Sequence, residues 1–345
     1  MEFCLMKILY TNVIEQNTGW GAEFFVNHGF LKNGHETYCI DFHNQKYHLV
    51  ESFLKSPECD VFFLQRGDKF PIPILKAIQL PRFFWASELV SRCRDQDRLL
   101  KSGLFDHIFV HTRDCLETIV GNGWVERNKL SVLLNGFDET VFKPDPSLKK
   151  DIDILFVGTI TPRRKLFLEE IRKQYNLKIV SAFGKEMSEW INRSKIVLNI
   201  HAEDYLDTET RVFEALGCGG FLLSERLSVD NPFINNEFIQ FDSLEDCIEK
   251  IDIYLDDQNA RDIIANNGYL NAIRNHTYTI RAAQIAEILV TYISDVRRVD
   301  RQIDKSKLKL FRQWEVFNYR LIVPVNNLLR KTYRKVKSFK KKNSN

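Results

Sequence analysis

Lys195–Glu225 constrains the fold of this chain more than any other stretch. It holds two short apolar runs, Ile196–Ile200 and Phe221–Leu223, separated by a polar segment, a helical stretch from Thr210 to Leu216 and the pair Gly219-Gly220. Short apolar runs bounded by turn residues are buried strands, so the segment reads as strand, loop, helix and strand. Such a succession places the chain in the α/β class. The first turn of the helix leaves backbone N–H groups unpaired. Asp207 or Thr208 can cap it, and an anion such as a diphosphate can sit at its N-terminus. Arg211 and Glu214 are three apart and share a face, where a cation meets phosphate oxygens and a carboxylate accepts hydrogen bonds from ribose hydroxyls. The same spacing also describes an ordinary surface ion pair.

The chain opens with a strand over Lys7–Asn12, a Gly19-Trp20-Gly21 loop, a helix over Ala22–Lys32 and a strand over Thr37–Phe42. This is a β-α-β start whose glycine-bearing loop brings backbone close to a ligand, so Gly19 and Gly21 are candidate contacts for a phosphate or an acceptor, or else a plain turn. A dinucleotide fingerprint needs glycine where Phe24 stands, which disfavours a nicotinamide-dependent dehydrogenase. Strands over Asp60–Leu64 and Arg82–Trp85 follow, the second putting Glu88 at a strand's carboxyl end as a candidate base or a surface carboxylate. In the strand Phe105–His111, His107 and His111 face one side, and His111 lies nearer the end where ligands bind. The turn Asn135-Gly136-Phe137-Asp138 and the run Phe142-Lys143-Pro144 mark a domain boundary near residues 143–151, glycine supplying the turn and proline stiffening the linker. A new strand over Asp151–Gly158 leads into a polar loop, Thr159–Lys165, whose Arg163 and Lys165, with Arg164 as a third choice, are placed to neutralise a diphosphate leaving group.

Several of these segments carry a resemblance. Asn199-Ile200-His201 with Arg211-Val212-Phe213-Glu214-Ala215-Leu216-Gly217-Cys218-Gly219-Gly220 resembles the donor-site segment of the CgeB-like (spore maturation protein) glycosyltransferases, relatives of the GT4-like, group 1 glycosyl transferases of the GT-B superfamily. The Asn-Gly-x-Asp turn, the strand-glycine-basic loop and His276-Thr277-Tyr278 with Arg281 resemble the same family, so the likeness spans roughly residues 6–296. It implies a GT-B fold of two Rossmann-like domains facing across a cleft: an acceptor domain over 1–148, a nucleotide-sugar donor domain over 149–300, and a basic amphipathic tail over 301–345. The implied reaction is a hexosyltransferase type: transfer of a sugar from a nucleotide-diphosphate sugar to a hydroxyl of a glycan, lipid or protein-linked acceptor, metal-independent and retaining. Glu214 takes the ribose in this resemblance, with Arg163, Lys165, His201, Arg211, Gly19 and Gly21 on the donor and Glu88 and His111 as catalytic candidates. The commoner family pattern has a second glutamate eight residues earlier, where this chain has Leu206; Glu203, Asp207 and Glu209 stay open for that role. A sugar-nucleotide epimerase of the same fold and a non-catalytic carbohydrate-binding protein are the alternatives.

Composition bounds the rest. A length of 345 residues suits two cores, and 44% hydrophobic with 28% charged residues is ordinary for a globular protein. The seven cysteines are scattered without a Cys-x-x-Cys pair, which suggests neither a disulfide framework nor a zinc site and fits a cytoplasmic setting. Asp95-x-Asp97 and Asp151-x-Asp153 resemble metal-binding pairs, but one lies in a charged helix and the other starts a strand, so no metal and no cofactor are expected. Lys305–Asn345 holds 13 Lys/Arg against one acidic residue, leaving 36 against 45 in residues 1–304. An acidic body argues against nucleic acid, and a basic amphipathic end favours an anionic membrane face, or packs on the body with a lysine-rich end.

Overall fold

In the computed structural model, residues 5–43, 48–90, 94–295 and 302–317 are described. The first sheet contains β1 (Lys7–Asn12), β2 (Glu36–Asp41), β3 (Val61–Gln65), β4 (Arg82–Ala86), β5 (His107–Val110) and β6 (Leu130–Val132), in the order β2-β1-β3-β4-β5-β6. The second contains β7 (Ile152–Val157), β8 (Leu177–Val180), β9 (Ser194–Asn199), β10 (Leu222–Glu225) and β11 (Ile239–Phe241), in the order β11-β10-β9-β7-β8. Every strand pair in both sheets is parallel. Parallel strands need crossovers, and helices supply them: α1 (Ala22–Lys32), α2 (Leu49–Lys55), α3 (Ile72–Ala77), α4 (Arg94–Leu100) and α5 (Arg113–Gly121) in the first half. The second half has α6 (Pro162–Gln174), α7 (Gly184–Asn192), α8 (Thr210–Gly217), α9 (Leu244–Asp256) and α10 (Gln258–Asn275). Strands covered on both faces read as continuous apolar runs, and β3 is buried at all five positions.

Each sheet reverses its strand order once, between β1 and β3 and between β7 and β9, and such switch points open a crevice at the strands' carboxyl ends. The helix α11 (Tyr278–Asp295) returns to the first domain and packs on α1, where a Cβ on Gly29 would lie 2.5 Å from the Tyr278 carbonyl oxygen. Lys32 and Thr279 both reach Glu139 at 2.7 Å, and the NGxD turn joins this seam through Phe137, which pairs with Thr277. Residues after 301 do not start as a separate tail. Ile303 bridges Ile78, and α12 (Lys305–Phe317) packs on α2 and α3 through buried Leu308, because its apolar stripe finds an apolar floor there. The rest of the basic tail, 318–345, lies outside the described residues.

Candidate functional site

The carboxyl ends of β7 and β8 and the N-terminus of α8 form one wall of a cleft of about 390 Å³. The first domain closes it with Trp20, Gly21 and Ala22. The second domain contributes Val157–Thr159, Arg164, Ser181–Phe183, Glu209–Arg211 and Glu214. Glu209 caps α8 without a side-chain hydrogen bond to it; its carbonyl accepts from the Val212 amide at 3.0 Å, and the Thr210 and Arg211 amides, which no side chain caps, are placed for a ligand. Arg211 lines the cleft one turn from Glu214, its Nε 3.7 Å from Glu214 Oε2 and without a hydrogen-bond partner, while its Nη1 meets Met187 Sδ. Burial raises the Glu214 carboxyl above the usual range, and Arg211 pulls it back only in part. A buried carboxylate beside an underused guanidinium has hydrogen-bonding capacity in reserve.

The basic triplet does not behave as a loop. Thr161 caps α6, its hydroxyl accepting from the Arg164 amide at 3.3 Å, and Pro162 takes the first helical position, so residues 163–165 form a helical first turn. Successive helical residues point about 100° apart, which sends the three side chains to different places. Arg164 enters the cleft: its Nε donates to the Ile200 carbonyl at 2.8 Å, its Nη1 to Thr159 at 3.1 Å, and its Nη2 faces Glu209 at 3.4 Å. Arg163 turns away to form a two-pronged pair with Glu225 and a 3.0 Å bond to the His201 carbonyl. Lys165 is exposed and pairs with Glu169 on the outer face of α6 at 3.4 Å. Thr161-Pro162 was the sequence signal for this geometry, being a cap followed by proline.

His201 lies beneath the cleft rather than on its wall. Its Nε2 meets the Arg226 carbonyl at 2.8 Å and its Nδ1 stands 3.8 Å from Glu209. Burial alone would lower its pKa, but Glu209, that carbonyl and Glu225 together raise it. His201 therefore steadies Glu209, which in turn faces Arg164.

The first domain supplies a stiff loop. Asn17 accepts from the Trp20 and Gly21 amides at 3.1 and 2.9 Å and donates to buried Glu23 at 2.7 Å. Gly19 has φ +79°, and its carbonyl touches the other domain where a Cβ on Gly184 would lie 2.6 Å from it. Gly21 lines the cleft, and a Cβ there would meet Asn17 at 2.4 Å. Trp20 packs on Phe183 across the cleft, ring centroids 4.7 Å apart. Neither ring stood out in the sequence, because aromatic residues at loop ends carry no periodic signal.

His111 is buried and tied on both sides. Its Nε2 lies 2.9 Å from Asp207 Oδ1 of the other domain and its Nδ1 3.4 Å from Asn135. The Asp207 carboxyl, although raised by burial, ends below the usual range because His111 and His201 stabilise its charge. Glu88 is exposed, at the end of β4, where its charge reaches Arg66. Neither residue lines the cleft that holds Arg164, Arg211 and Glu214. A second hollow of about 670 Å³ opens beyond His111, between Leu89, Val90 and α5 on one side and Glu203 and Tyr205 on the other. Asp151 and Asp153 are engaged with Arg193 and Lys195, and among the described residues no cluster of three or more His, Cys, Asp or Glu is placed to hold a metal ion.

Comparison with known proteins adds three findings. Residues 163–287 match the family described as glycosyl transferase-like. Uncharacterized protein R358 of Acanthamoeba polyphaga mimivirus is 29% identical over 133 residues, which cover 36% of this chain and 45% of that protein, less than half its length. Solved structures resemble most of the chain at low identity: sucrose-phosphate synthase of Thermosynechococcus elongatus at 10% identity and TM-score 0.61, over 84% of this chain and 100% of that one. A Rickettsia africae glycosyltransferase follows at 10% and 0.60, over 85% and 100%. Anabaena HepE, solved with UDP and glucose, follows at 14% and 0.58, over 83% and 100%. The fold is thus GT-B, two Rossmann-like domains across a cleft, and the stretch that matches the glycosyl transferase-like family holds Arg164, Arg211 and Glu214.

Proposed function

We propose that the protein is a glycosyltransferase that moves a sugar from a nucleotide-diphosphate donor to an acceptor hydroxyl. One observation carries this reading: two guanidinium groups, the open N-terminus of α8 and a buried carboxylate converge in a single interdomain cleft. Arg164, Arg211 and the α8 amides hold the diphosphate and stabilise the charge that grows on it as the glycosidic bond breaks. Glu214 accepts from the ribose hydroxyls. Glu209, held by Arg164 and His201 on the wall of the cleft, takes the sugar-facing role. His111 and Asp207 fix the two domains relative to each other, and the hollow between Val90 and Tyr205 admits the acceptor. No step in this reading needs a metal; retention of configuration is proposed from the CgeB-like resemblance alone.

Titration with UDP, GDP, ADP and CMP by calorimetry tests the donor site. Arg211→Ala and Arg164→Ala should each lower the affinity for the bound diphosphate at least tenfold, and each should cost on the order of 10²–10³ in kcat, the usual effect of removing one charge-stabilising donor. Undiminished binding in both variants removes the assignment. Turnover should survive excess EDTA.

The basic end is proposed to rest on an anionic membrane face, supported by the exposed Lys305, Lys307 and Lys309 on α12 and by the charge of 318–345. No described helix is long and apolar enough to cross a membrane. Flotation with phosphatidylserine vesicles, but not with neutral ones, is the expected outcome.

A further inference from the structure

The cleft is chemically lopsided. The charged lining residues Arg164, Glu209, Arg211 and Glu214, with the α8 N-terminus, are buried or half-buried, whereas the aromatic lining residues Phe183 and Trp20 are exposed. A nucleoside diphosphate has the same polarity, an anion at one end and a flat aromatic base at the other. Trp20 and Phe183 pack at 4.7 Å with their planes 43° apart, so nothing intercalates between them, yet Trp20 is 37% and Phe183 53% exposed. Large aromatic rings left open at the mouth of a cleft are a stacking wall for a π-system.

We propose that Trp20, from the first domain, is a nucleobase-binding residue that completes the donor site of the second domain by extending the Phe183 wall. This rests on the donor reading given above. The loop that presents Trp20 is braced at Asn17 and Glu23, so the ring is held in place rather than recruited. Its backbone touches the other domain at Gly184, whose φ of +54° and 2.6 Å Cβ approach to the Gly19 carbonyl leave room for glycine only. A base stacked on Trp20 and Phe183 therefore touches both domains at once and favours their closed arrangement. Every base has a π-face, so the wall supplies affinity more than choice, and discrimination falls to polar groups nearby such as Ser181.

The test compares UDP with inorganic pyrophosphate on the full chain, by calorimetry and by the shift in melting temperature. Stacking on one aromatic ring is worth about 1–3 kcal/mol per base, so Trp20→Ala should weaken UDP about tenfold or more, leave pyrophosphate binding unchanged, and be largely restored in Trp20→Phe. Phe183→Ala should behave in the same way. Equal UDP affinity in Trp20→Ala and the unaltered protein overturns the inference. So does an equal loss for UDP and pyrophosphate, which would mark Trp20 as a closing contact only. A protein that binds pyrophosphate and none of UDP, GDP, ADP or CMP overturns the donor reading as well, and is told apart by the unaltered chain alone.

Discussion

Arg163, Arg164 and Lys165 leave the first turn of α6 in three directions, and only Arg164 reaches the cleft. Charge and position in the sequence identified the triplet but could not rank it, because rank depends on helix phase and hence on where the helix starts. The two arginines are separable by experiment. Arg163→Ala leaves Glu225, itself 8% exposed, without its guanidinium and should cost about 1–2 kcal/mol of stability while leaving nucleotide affinity in place. Arg164→Ala should lower nucleotide affinity. Thermal melts and titrations of both variants check the division, and a swap of phenotypes would reverse the roles. That Arg211 and Glu214 meet on one face was legible because an i, i+3 pair at the start of a short helix keeps its partners whatever the surroundings. Trp20 was not, since its contact with Phe183 spans 163 positions in sequence and depends on how two domains meet.

At the scale of elements, apolar runs and turn residues located nearly every strand. The helix expected over Thr210–Leu216 is Thr210–Gly217, and the expected strand Ile196–Ile200 is shifted to Ser194–Asn199. Local pattern decides such elements because each buries its own apolar face. Where an element packs is another matter. The residues after 301 left two readings open in the sequence, a basic end on a membrane face or a helix packed on the body, and Leu308 is fully buried, because one apolar stripe outweighs the surrounding lysines in choosing a floor. The seam between α1 and α11 has its own test. Gly29→Ala places a methyl 2.5 Å from the Tyr278 carbonyl and 2.8 Å from Ala282 Cβ, and backbone on both sides resists movement. Overpacking of this sort costs about 1–3 kcal/mol, so a melting temperature lowered by several degrees is expected, and an unchanged one would mean that the helices slide apart freely.

Across the whole molecule, buried histidines contribute to the response to acid: burial lowers His35, and His107 and His276 are lowered further. Burial lowers His107, held between Tyr292 and Ser131, to about 4. Burial and then Arg281 lower His276 to about 3. Both folded values lie below the model-peptide value of 6.5, so the unfolded chain takes up protons first as pH falls. The stability held by their neutral forms is complete above pH 6.5 and is lost between 6.5 and about 4 for His107, continuing to about 3 for His276. His201, raised in the fold, works in the opposite sense: its contribution is present below 6.5 and fades as pH rises through its folded value. Melting temperature should therefore fall from pH 6.5 to 4, less steeply in His107→Gln; equal slopes would clear His107 of the effect. The donor cleft itself is tested most directly by the crystal structure of the protein with UDP. The account predicts the diphosphate within hydrogen-bonding distance of the α8 N-terminal amides, Arg164 and Arg211, and the ribose beside Glu214. A nucleotide bound away from α8, with Arg211 and Glu214 untouched, would contradict it.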